Sequence, residues 1–189
     1  MPNIIEKYIE MKKGFVILLS GPISKKIKKL GKKLAKKFGF NYINSNKYIT
    51  QQNFNFVDLI NVMDWDKLNE DIEKEYDKGV IVVGYLLPKD RINKTNYHIH
   101  LSVTRETYID YRAKKINTQV IKNEQKDITN QLSEQNSAKI KDGFYQYKTI
   151  SSTMFINKFV KIDSFTDRQI YERVFDIIID YVMIVVYKK

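Results

Sequence analysis

Along the chain, short apolar runs alternate with stretches in which apolar residues recur every third or fourth position. The run at 15–19 (Phe-Val-Ile-Leu-Leu) reads as a buried strand. At 24–38, Ile27, Leu30, Leu34 and Phe38 fall on one side of a helix, and Gly39 follows as its stop. A short strand at 40–43 and an irregular, aromatic stretch at 45–63 come next. A helix is then expected over 64–77, with Asp64 or Asp66 placed to cap it and Lys78-Gly79 to close it. The segment 80–86 is apolar almost without a break, as in strands covered on both faces of a parallel sheet. A strand at 98–103, a helix at 105–116, a strand at 159–162 and a long amphipathic helix at 167–187 follow, and a short helix at 3–12 precedes them all. Such alternation predicts an α/β domain of three layers with a mostly parallel, five-stranded sheet.

Residues 117–148 break the rhythm. They are rich in Asn, Gln, Lys and Ser, and are expected to form a mobile excursion or partly helical lid outside the core. With no internal repeat and no Pro/Gly-rich linker, 1–189 reads as a single domain.

Composition narrows the setting. The chain has no cysteine, which excludes disulfides and thiolate metal sites. The start of the chain lacks signal-peptide organisation, and the longest apolar run, 181–187, falls far short of the roughly 20 residues that span a bilayer. The expected location is therefore cytoplasmic, nucleoplasmic or inside a virion. Heavy use of Lys, Ile, Asn and Tyr suits an AT-rich genome, such as that of a large DNA virus.

The net charge of +11 is local rather than global. Lys25 to Lys37 holds eight lysines and no acid, so this one segment carries +8 of it. Those lysines cover the outer face of the predicted helix. They form either an ordinary solvated surface or a patch for a polyanion or an acidic protein. Few aromatic residues interleave with them in sequence, so no stacking platform for bases is visible.

Where the first strand meets the basic helix, the chain reads SGPISKKIKKLGKKLAKKFGF. A phosphate-binding loop follows G-x-x-x-x-G-K-S/T between strand and helix. Anchored on Gly21, that template asks for glycine, lysine and a hydroxyl at 26, 27 and 28, where this chain has Lys26, Ile27 and Lys28. A second apparent match at Gly31-Lys32-Lys33 lies inside the helix and has Lys26 where its first glycine belongs.

Four stretches together resemble the P-loop nucleoside and nucleotide kinases, the uridine kinase branch most of all. They are SGPISKKIKKLGKKLAKKFGF, FVDLINVMDWDKLNEDI, GVIVVGYLLP and YHIHLSVTRETYIDYR. The resemblance implies a P-loop kinase-like fold with a lid at about 117–148, and a nucleotide or nucleoside as partner. It places phosphate binding at Gly21, Pro22, Ser24, Lys26 and Lys28. Asp58 falls on the family's substrate-activating carboxylate, and Arg112 on an arginine that contacts the transferred phosphate. Lys114, Lys115 and Lys122 are further lid candidates. ATP and Mg²⁺ would be the cofactors, yet the loop lysine falls on Ile27, the Mg²⁺-binding hydroxyl on Lys28, and the acid ending the third strand on Val83, beside a retained Gly84. Two such losses cost on the order of 10⁴-fold in rate. The leading expectation is a degraded Mg–ATP site with weak or absent activity. An active kinase using relocated lysines and a polyanion-binding module at Lys25 to Lys37 are the alternatives.

Three further features have modest readings. His98 and His100 share a strand face as an H-x-H pair, expected to be hydrogen-bonded core residues rather than metal ligands. Trp65 is expected to anchor its helix to the core. Tyr145 and Tyr147 either stack a base or pack the lid.

Overall fold

A computed structural model describes residues 3–51, 59–122 and 131–187, without the side chains between 115 and 139. Strand β1 (Val16–Ser20) is buried along its whole length and occupies the centre of the sheet. It pairs in parallel with β3 (Val80–Gly84) on one side and β4 (Tyr97–Ser102) on the other. Strands β2 (Asn41–Asn44) and β5 (Lys158–Lys161) are the edges, giving the order β2-β3-β1-β4-β5. All four pairings within this sheet are parallel. β1 and β3 are unbroken apolar runs because helices cover both of their faces.

Helix α2 (Ser24–Phe38) covers one face and starts and ends where the apolar spacing places it. Gly31, the helix residue that mimics a loop glycine in sequence, is instead a packing position. A β-carbon there would meet Val83 Cγ1 at 2.3 Å, so helix and sheet approach closely only because none is present. Side chains alternate across a strand, so Ser20, one step beyond Leu19, faces the opposite side from the Val83 that Leu19 neighbours.

Helix α6 (Asp167–Tyr187) packs on α2 and on α1 (Ile4–Lys12). The hydroxyls of Tyr8 and Tyr181 lie 3.0 Å apart, and Tyr181 donates to the Asn96 carbonyl at 3.1 Å. Helix α3 (Trp65–Glu75) is capped by Asp64, which accepts from the Lys67 amide at 3.0 Å. The Trp65 indole donates to the Ile60 carbonyl at 2.8 Å, which ties the irregular stretch before the helix to its first turn. No helix among the described residues is long and apolar enough to cross a membrane.

The segment read as a partly helical excursion is helical over its described residues. Helix α4 (Arg105–Lys122) runs six residues beyond the expected end at 116, and α5 (Gln131–Thr153) packs against it. Within its described side chains, Phe144 and Tyr147 are buried, as are Ser151 and Met154 just beyond it. Their spacing of three, four and three is a helical stripe, masked in the sequence by the polar residues of the other face.

Candidate functional site

The β1–α2 turn is three residues long, Gly21 to Ile23, because α2 winds from Ser24 onward. In a phosphate-binding loop the helix follows the eight-residue motif. Here five of those eight positions already belong to the helix. The Gly21 amide donates to the carbonyls of Gly84 and Tyr85 at 3.3 and 3.2 Å. The Ile27 amide donates to Ile23 at 3.2 Å, an ordinary first-turn helix bond. Gly21, Pro22 and Ile23 are all buried, and Ile27 is 1% exposed. Gly21 has φ of 151°, and a β-carbon on it would lie 2.4 Å from the Leu101 carbonyl oxygen, so glycine is required by packing.

The anticipated phosphate-binding residues therefore separate. Gly21 and Pro22 are walled in, while Ser24, Lys26 and Lys28 are half-buried on the first turns of α2. Lys26 turns toward α6 and, with Lys29, Lys33 and Tyr171, lines a cavity of about 250 Å³. Lys28 does not line that cavity. The residues present fit a Mg–ATP cradle poorly at one point: the motif's cation position is the core side chain of Ile27.

Below the turn, on the face opposite α2, Ser20 Oγ lies 2.7 Å from both His98 Nε2 and His100 Nδ1. The His100 Nε2 bonds in turn to the Tyr147 hydroxyl. A hydroxyl carries one proton, so Ser20 donates to one ring and accepts from the other, an arrangement that suits neutral imidazoles. Burial enforces that form, pushing His98 down to about 4 and His100 to about 3, the latter helped by the neighbouring His98 and Lys148. Among the described residues, no three His, Asp or Glu side chains gather as a metal-ligand set.

Arg112, on α4, is 8% exposed, with its guanidinium 5.3 Å from the ring centroids of both Tyr85 and Tyr108. Tyr147 stacks on His100 and closes the cluster against Tyr85. Burial first, and then Tyr108, raise the Tyr85 phenol above its ordinary range, while Arg112 works against them. Tyr145 points outward, 55% exposed. Asp58 lies outside the described residues, as do the side chains of Lys115 and Lys122, while Lys114 is exposed. At the end of β4, Asp163 accepts from the Thr104 amide at 2.7 Å and from its hydroxyl at 2.9 Å, which joins the ends of β4 and β5.

Sequence reasoning missed Tyr85 and Tyr108 as the partners of Arg112. It also missed Tyr171, whose ring meets Lys33 of α2, and Phe175, which stacks on Phe38 of the same helix. The only sequence signal for the second pair was their spacing of four on the last helix.

No protein-family model matches the sequence, and no curated protein is significantly similar to it. Solved structures do match. Shikimate kinase from Aquifex aeolicus is 14% identical, with 89% of this chain and 99% of that one covered and a TM-score of 0.54. Thymidylate kinase from Candida albicans is 14% identical over 87% and 91% of the two chains, with a TM-score of 0.48. The YorR protein from Bacillus subtilis, solved in complex with phosphorylated GDP, is 13% identical over 86% and 95%, with a TM-score of 0.49. The likeness to the shikimate kinase, together with the parallel five-stranded sheet and its flanking helices, makes this a chain with the P-loop kinase fold.

Proposed function

We propose that this is a nucleoside/nucleotide kinase-like protein of the uridine kinase type whose Mg–ATP site is degraded, leaving a scaffold with weak or absent phosphotransferase activity. One observation carries the reading: Ile27, at the position of the loop cation, is a core side chain beneath a turn shortened to three residues. Phosphoryl transfer is mainly positioning and charge neutralisation, so a site without that cation lacks a main stabilising group. The buried seat of Arg112 between two tyrosines also favours packing over phosphate contact. The uridine kinase subtype rests on the four sequence stretches alone.

Isothermal calorimetry with ATP, with and without Mg²⁺, tests this directly. The expected trace is flat at protein concentrations that would reveal micromolar binding. Tight, Mg²⁺-dependent ATP binding by the unmodified protein would overturn the proposal.

A further inference from the structure

We propose that the groove between α2 and α6 binds single-stranded nucleic acid, with phosphates on the lysines of α2 and a base against the aromatic rings of α6. This goes beyond the degraded-site reading and does not depend on it.

Lys26, Lys29 and Lys33 sit at i, i+3 and i+7 on α2, a spacing that puts three ammonium groups along one edge of a helix. The facing wall is Tyr171, one turn into α6. Phe175 continues that row, 6.0 Å from Tyr171 between ring centroids, and is itself stacked on Phe38 of α2 at 5.3 Å and 11°. Tyr171, Phe175 and Phe38 are all partly exposed. The Lys33 ammonium lies 3.8 Å from the centre of the Tyr171 ring, so the cationic edge and the aromatic wall are in direct contact. Leu30 and Ile170 form an apolar floor.

The lining carries four cations, with Arg168 the fourth, against the single carboxylate of Asp167. Asp167 pairs with Lys29 at 2.8 Å, but the two side chains are 47% and 71% exposed, so a phosphate can exchange for the carboxylate at little cost. Arg168 is held by Glu172 at 2.7 Å, outside the lysine row. The cavity of about 250 Å³ is smaller than the ~300–1,000 Å³ pockets that enclose small ligands, so it suits one unit of a longer chain. Lys26 and Lys33 stand seven residues apart, about 10 Å along the helix, so the lysine row engages a short stretch of the strand. A duplex keeps its bases stacked inside and gains nothing from Tyr171. That selects the single strand.

The test is fluorescence anisotropy of a labelled oligo(dT) of about 15 nucleotides and of a blunt duplex of equal length, without ATP or Mg²⁺. Three lysine contacts predict that single-strand affinity falls about 20-fold between ~50 and ~200 mM salt. Tyr171→Ala is expected to weaken single-strand binding at least about fivefold and leave duplex binding unchanged. Changing Lys26, Lys29 and Lys33 to Gln should abolish binding. The charge-matched change of Lys25, Lys28 and Lys32 to Gln, about 100° around the same helix and away from the cavity lining, should cost far less. Asp167→Asn should tighten binding. Circular dichroism confirms that each variant is folded. No binding at low salt, equal losses from the two lysine sets, or tighter duplex binding that ignores Tyr171→Ala would each overturn the proposal.

Discussion

Ile27 lies directly beneath Gly21: a β-carbon on Gly21 would come within 3.1 Å of Ile27 Cδ1. The two residues define the β1–α2 turn, one by having no side chain and the other by filling the space below. A turn built for phosphate keeps that space for a ligand and its cation. In this chain the space belongs to the core.

Gly21→Ala is expected to destabilise the fold by about 2–4 kcal/mol. The added methyl would sit 2.4 Å from a backbone oxygen, that of Leu101, which cannot rotate aside, and φ at 151° is unfavourable for any other residue. Urea unfolding measures the difference. A loss below about 0.5 kcal/mol would mean the turn relaxes freely.

Restoring the motif by Lys26→Gly, Ile27→Lys and Lys28→Ser is expected to damage the protein rather than revive it. The introduced ammonium would have to leave a site where Ile27 is 1% exposed, or be buried there unpaired, at a cost of about 3 kcal/mol or more. A glycine inside the first turns of α2 adds about 1 kcal/mol. Ile27→Val, by comparison, should cost only about 1 kcal/mol. If the triple variant were as stable as the parent and bound Mg–ATP in calorimetry, the cradle would be dormant rather than lost.

Acid should weaken the fold through His98 and His100. Their folded values, about 4 and about 3, lie below the unfolded value near 6.5, so the unfolded chain takes up protons first. Stability is therefore full above about pH 6.5 and declines as pH falls through 6 and 5, by up to about 1.4 kcal/mol per unit for each ring. Urea midpoints between pH 7 and 5 give the slope. In a variant with His98→Gln and His100→Asn that slope should flatten, because amides can bond to Ser20 without titrating. An unchanged slope would assign the acid sensitivity to other groups.

The sequence carries most of this fold in its local spacing. Helix α2 is readable because Ile27, Leu30, Leu34 and Phe38 serve one local face, and α6 for the same reason. Asp64 is readable as a cap because capping acts over three residues. What stayed hidden depends on distant partners. Tyr147 belongs to the core through His100, 47 positions earlier, and the polar face of α5 concealed the buried stripe. Likewise, the lysines of α2 appeared to lack aromatic neighbours because Tyr171 reaches Lys33 only after the sheet is assembled. The departure at Ile27 was visible from one position alone. Its meaning came from burial, which no single position reveals.

The pairing of Tyr8 with Tyr181 has a kinetic consequence. These residues are 173 positions apart, so their contact closes a long loop. On a ribosome, α1 is made early, yet the surface that receives it arrives only with α6. Helix α1 thus settles only after α6 is made, and a fluorophore on the exposed Met11 side would report that late docking.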